Sequence, residues 1–159
     1  MSLDRKNIAI LTANGVNQNE IATIQRALIQ KRSFPKIIGA GGKLITGWDG
    51  NQWGHNFAMD INVTEALGVD YDVLIIPGGE RAMDVLTTTA HTKRILNSFI
   101  VAGKPVLVMG DASSLFKTFD LPQTGENLKF VEDCDEAQLL DLISWFESFD
   151  TTGLDQKVA

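Results

Sequence analysis

Lys104-Pro105-Val106-Leu107-Val108-Met109-Gly110-Asp111-Ala112-Ser113-Ser114-Leu115 runs from a strand through a turn into a helical pattern. Val106 to Met109 is an unbroken apolar run, the signature of a strand buried on both faces. Gly110-Asp111-Ala112 interrupts it. Junctions of this form display one side chain above the carboxyl edge of a parallel sheet, where catalytic nucleophiles are often placed. This turn offers no thiol, and its hydroxyls, Ser113 and Ser114, come only after the turn.

Working outward, the same strand-then-helix pattern recurs. Asn7 to Thr12 reads as a short buried strand, followed by a turn at Gly15 and by Asn17 as a helix N-cap. Between Glu20 and Lys31 the apolar residues Ile21, Ile24, Leu28 and Ile29 recur at helical spacing. Pro35 opens a second strand, Lys36 to Ala40. Residues 41–66 are rich in turn formers, and pieces around Lys43-Leu44-Ile45 and Gln52-Trp53 suit a small hairpin. Asp72 to Ile76 is a further buried strand, stopped by Pro77-Gly78-Gly79. Helices are expected over Glu80–Leu86 and Thr92–Ala102, the second ended by Gly103 as C-cap. Leu128 to Val131 reads as the last strand, and Glu136 to Phe149 as an amphipathic helix. Buried strands alternating with helices imply a mostly parallel sheet covered on both faces. The expected organisation is one doubly wound α/β sandwich over residues 1–150, with 151–159 a frayed tail.

Composition narrows the function classes. The chain has 159 residues and a formal net charge of -6, with no Lys/Arg cluster, which argues against a nucleic-acid partner. Its apolar runs are too short to span a bilayer. The N-terminus lacks the apolar core of a signal peptide, so a cytoplasmic setting is expected. Cys134 is the single cysteine. It lies in Glu132-Asp133-Cys134-Asp135-Glu136, and neighbouring carboxylates oppose thiolate formation, so a structural role is expected for it.

Three segments resemble the ThiJ/PfpI superfamily of class I glutamine amidotransferase-like proteins, in order. Ile8-Ala9-Ile10-Leu11 through Glu20 is similar to its first strand and glutamate-bearing helix start. Asp70-Tyr71-Asp72-Val73-Leu74-Ile75-Ile76-Pro77-Gly78-Gly79 resembles its tyrosine-aspartate, hydrophobic, proline-glycine-glycine segment. Gly103-Lys104-Pro105-Val106 leads into the place of its nucleophile elbow. The resemblance implies a flavodoxin-like three-layer sandwich and a homodimer. In active members the elbow reads alanine-isoleucine-cysteine. By that resemblance the cysteine position falls on Gly110, the next on Asp111 and the neighbouring glutamate on Glu20. Gly79 falls where a backbone amide helps to hold an oxyanion. The resemblance thus implies that the acid and the oxyanion cradle remain while the nucleophile is lost. The Met-Gly-Asp-Ala run is also similar to a turn in the C-terminal domain of large-subunit catalases, which would imply a structural interaction domain.

The site expected from these residues comprises Glu20, Gly78, Gly79, Gly110, Asp111 and Ala112 as binding positions, with no assured catalytic residue. Glu20 and Asp111 in one pocket could do acid/base work, or Asp111 could simply cap the amides of residues 113 and 114. The capping account is preferred. Ser113 and Ser114 lack a Gly-x-Ser-x-Gly setting, and neither His55 nor His91 offers a triad partner. Pro77-Gly78-Gly79-Glu80 presents backbone amides suited to an anion or a carbonyl oxygen. Gly39-Ala40-Gly41-Gly42 leads into Lys43-Leu44-Ile45 rather than a helix, so it is not a dinucleotide loop. No metal or cofactor is expected. Trp48, Trp53, His55 and Phe57 are expected at a subunit contact. The leading expectation is a protein without cysteine-dependent catalysis that binds a small molecule or a protein partner. A hydrolase or lyase using Glu20 and Asp111 is the alternative.

Overall fold

In the computed structural model, which describes residues 6–132 and 135–148, the chain begins with β1 (Ile8–Ala13) and β2 (Val16–Asn17). Helix α1 (Gln18–Gln30) leads to β3 (Lys36–Ala40), then to β4 (Leu44–Trp48), β5 (Trp53–Ala58) and β6 (Ile61–Asn62). Next come β7 (Val73–Ile76), α2 (Glu80–Leu86) and α3 (Ala90–Ala102). The chain then forms β8 (Val106–Met109), α4 (Ser114–Thr118), β9 (Leu128–Val131) and α5 (Glu136–Glu147).

Six strands form one sheet in the order β6-β3-β1-β7-β8-β9, with every pairing parallel. Every residue of β1, β7 and β8 is buried, which explains their unbroken apolar sequences. From β1 the chain first moves outward to β3 and then crosses back to β7 on the other side. Right-handed crossovers in opposite directions place helices on both faces of the sheet. Accordingly α1 packs on α5, while α2 packs on β1 and against α4. The result is a flavodoxin-like, doubly wound α/β fold.

Local signals behave as their chemistry dictates. The side chain of Asn17 caps α1 by accepting from the Glu20 amide at 3.3 Å. Gly103 ends α3 at φ 71, a left-handed conformation that glycine adopts without a Cβ penalty. Asp135 and Gln138 close a reciprocal capping box at the start of α5.

Four expectations need correction. Ile29 is 54% exposed, because by the last turn of α1 it has rotated off the stripe; Ala27 and Leu28 are buried there. Residues 41–66 hold more than a small hairpin. The β4–β5 hairpin joins β2 in a second sheet of three strands, and β6 adds an edge strand to the main sheet. The helical pattern after the elbow turn opens as a 3-10 turn over Gly110–Ser113, so Ser113 precedes the five-residue α4 rather than lying in it. Asp111 makes no capping hydrogen bond there. Cys134, Phe149 and the tail 151–159 lie outside the described residues. No described helix is long and apolar enough to cross a membrane.

Candidate functional site

The carboxyl ends of β1, β7 and β8 lie side by side, so the loops leaving them adjoin where the strand order reverses. This is where open α/β sheets bind ligands. Backbone hydrogen bonds brace the loops together. Gly15 N–H donates to Thr46 O and Asn17 N–H to Gly78 O, both at 2.8 Å. These tie the first loop to the hairpin on one side and to the loop after β7 on the other.

Two carboxylates meet two consecutive amides at the centre. Gly78 N–H donates to Glu20 Oε1, and Gly79 N–H donates to Asp111 Oδ1, each at 2.7 Å. Both glycines are dictated by close approach. A Cβ on Gly78 would meet Asp111 Oδ1 at 2.6 Å and Glu20 Oε1 at 3.0 Å. Gly79 sits at φ 133, and a Cβ there would meet Gly15 O at 2.5 Å and Asn17 N at 2.8 Å. Gly110, at φ 54, differs: its nearest obstacle to a Cβ is Glu20 Oε2 at 3.4 Å. The elbow backbone therefore aims an empty position at the Glu20 carboxylate.

Above this floor opens a cleft of about 440 Å³. Glu20, Gly79, Gly110 and Asp111 line it, whereas Gly78 and Ala112 are buried behind its wall. Glu20 is half-buried and Asp111 exposed at the cleft wall. Ser113 and Ser114 are not among the lining residues, and His55 is drawn instead to Gln18, whose Oε1 accepts from its backbone amide at 2.7 Å. The far wall comes from residues the turn motifs did not point to: Trp48, Asp49, Arg81 and Glu132. The Arg81 guanidinium lies over the Trp48 ring, 3.7 Å from its centroid, and Trp53 meets Trp48 edge to face. Trp48 thus faces the cleft, while Trp53 is 52% exposed. Asp49 Oδ1 accepts from the amides of Asn51 and Gln52, each at 2.9 Å, which holds its carboxyl below the usual range. Arg81 had a signal available in its position one residue into the helix after Pro77-Gly78-Gly79. Trp48, Asp49 and Glu132 reach the cleft only through tertiary packing. Among the described residues no three His, Cys, Asp or Glu side chains converge as a metal site.

The sequence profile of the DJ-1/PfpI family matches residues 6–121, which include β1, the glycine loop after β7 and the elbow. The chain belongs to the DJ-1/PfpI family. Among curated proteins it is 40% identical over 53 residues to Protein DJ-1 homolog D of Arabidopsis thaliana. That stretch is 33% of this chain and only 13% of the Arabidopsis protein. DJ-1 of Schizosaccharomyces pombe superposes with a TM-score of 0.73, at 15% identity, over 96% of this chain and 98% of that one. A two-domain protein of Anabaena variabilis, with DJ-1/ThiJ/PfpI-like and ferritin-like domains, gives a TM-score of 0.66 at 24% identity. There the likeness spans 76% of this chain and 34% of the Anabaena chain. At these identities the structural likenesses establish the shared α/β fold.

Proposed function

We propose that this DJ-1/PfpI-family chain binds a small molecule in the cleft above Gly110 and performs no cysteine-dependent catalysis. The observation that carries the reading is the Asp111 carboxylate seated on the Gly79 amide. A site that stabilises an oxyanion needs such an amide pointing at the reacting atom. Here a carboxylate of the chain itself takes that hydrogen bond, and position 110 brings no side chain. The open space above Gly110 favours a ligand over the purely structural, catalase-like reading, in which side chains would fill it. The proposal includes a homodimer in a cytoplasmic setting; the exposed Leu44 and Trp53 of the hairpin support a subunit contact there.

A direct test assays the purified protein for thiol-dependent glyoxalase, deglycase and peptidase turnover, alongside Cys134→Ser. No activity, and identical behaviour of the variant, is expected. Turnover that disappears in Cys134→Ser would end the proposal. A thermal-shift screen against small metabolites tests the binding half.

A second reading has one observation in its favour. Glu20 Oε1 and Asp111 Oδ1 flank the same glycine, so two carboxylates are held together at the cleft floor. Such a pair suits acid/base hydrolase or lyase chemistry. It requires a turnover that collapses in both Glu20→Gln and Asp111→Asn.

A further inference from the structure

The proposed ligand site can be narrowed by what its walls offer. Its two central backbone donors are spent internally, Gly78 N–H on Glu20 and Gly79 N–H on Asp111. Among the described lining residues, Glu20, Asp49, Glu80, Asp111 and Glu132 carry carboxylates and only Arg81 carries a positive charge. Counted formally, five negative groups against one positive leave the cleft four charges negative. The amides of Asn51 and Gln52 donate to Asp49 Oδ1 and favour its charged form. An anion would therefore enter against the local field and find the Gly78 and Gly79 amides already taken. A cation would be drawn in by the same field.

A separate observation shows where a cation settles. The Arg81 guanidinium lies 3.7 Å from the centroid of the Trp48 ring, inside the cleft lining. Among the described residues no ion pair within 4.0 Å holds it, although carboxylates surround the same space. The indole face is thus a seat for a flat or compact cation, filled at present by the protein's own side chain. Arg81 is exposed and its guanidinium hangs from the helix on the flexible stem Cβ to Nε, so it can leave without disturbing the core.

We infer that the cleft takes a small organic cation, an alkylammonium or alkylguanidinium compound, whose charged head replaces Arg81 on Trp48 and whose N–H groups meet the cleft carboxylates. This rests on the small-molecule reading above. A volume of about 440 Å³ suits a ligand of that size, within the range common for small-molecule sites.

Four probes of matched chain length test it: agmatine, putrescine, succinate and butanediol, each titrated into the full chain by calorimetry. Amide and indole NMR shifts locate the binding. Agmatine and putrescine are expected to bind, with agmatine tighter, and to shift the Trp48 indole and the Gly110 and Asp111 amides. Arg81→Ala removes the internal competitor and should tighten agmatine binding severalfold. Trp48→Leu should weaken it by roughly tenfold. Should Trp48→Leu fail to fold, the Arg81→Ala arm decides, since a merely structural arginine would not improve affinity when removed. Weaker agmatine binding in Arg81→Ala overturns the inference. Succinate or butanediol binding at these amides, with the cations inert, also overturns it and leaves small-molecule binding intact. Silence from all four probes overturns the cation class, and the metabolite screen then decides the broader reading separately.

Discussion

Asp111 Oδ1 accepts a 2.7 Å hydrogen bond from the backbone N–H of Gly79, joining the loop after β8 to the loop after β7. The two residues are 32 positions apart in sequence and become neighbours because β7 and β8 are adjacent parallel strands. A charged acceptor strengthens such a bond, while exposure and the nearby Glu20 carboxylate offset part of the gain. Asp111→Ala should therefore lower unfolding stability by about 1 kcal/mol. Asp111→Asn, which keeps an acceptor oxygen and removes the repulsion, should lose less. Urea denaturation with an unchanged m-value reads both. Asp111→Ala should also free the Gly79 amide, visible as faster hydrogen exchange of that amide in NMR. An alanine variant as stable as the parent, with a Gly79 amide that exchanges no faster, would show that the contact contributes nothing.

Three glycines separate backbone strain from collision. Gly41 has φ 108 with open space around it, so Gly41→Ala should cost only the strain, about 1 kcal/mol. Gly110 has φ 54 and room for a Cβ, so Gly110→Ala should cost a similar amount and retain the fold. Gly79 has φ 133, and its Cβ would strike the backbone at Gly15 and Asn17. Gly79→Ala should be the most damaging by a margin of at least about 2 kcal/mol. Thermal midpoints of the three variants test the order. Equal losses at all three would mean that the loops yield freely.

The elements that a short stretch specifies by itself were legible in the sequence. Asn17 reads as a cap because a side-chain oxygen two or three residues before free amides has one obvious use. Gly103 reads as a stop for the same local reason, and the buried runs of β1, β7 and β8 announce a parallel sheet. Asp111 shows where local reading fails. Its sequence position suggests a cap on the residues that follow it, yet the 3-10 turn leaves its carboxylate pointing across to Gly79. Nothing within the turn encodes that choice; the neighbouring strand does. Trp48 fails similarly. It lies on β4, whose pairing with β2 carries it over the start of α1 and onto the cleft, and the alternation of β4 alone cannot reveal this. The β2 strand is itself two residues long, too short for any periodic signal.

Gln18 holds the hairpin that carries Trp48. Its Oε1 accepts from the His55 amide at 2.7 Å, and its side chain packs where Cβ atoms on Gly47 and Gly54 would otherwise stand. Gln18→Ala should cost about 1 kcal/mol, and the larger effect should be local. Hydrogen exchange at residues 53–58 is expected to speed up well before exchange in β1 or β7, with a change in tryptophan fluorescence as Trp48 and Trp53 lose their packing. Protection that falls uniformly across the main sheet would place Gln18 in the global fold rather than in this clasp.

Tyr71 is the only tyrosine, so tyrosinate absorbance reports one group. It is buried just ahead of β7, and burial first, then the charges of Asp70 and Asp60, raise its pKa above the ordinary 10.0. The neutral phenol is the form the fold favours. In the unfolded chain the phenol ionises near 10, so below that pH both states keep the proton and the contribution to stability is complete. As pH rises from there towards the folded-state pKa, the unfolded state releases its proton first and stability falls. A spectrophotometric titration should give a midpoint above 10.0 in buffer and one close to 10 in denaturant. Tyr71→Phe removes the ionisable group, so the unfolding midpoint should lose its decline in this alkaline window. If the native midpoint is at or below 10.0, the phenol is solvated and the carboxylates of Asp60 and Asp70 do not act on it.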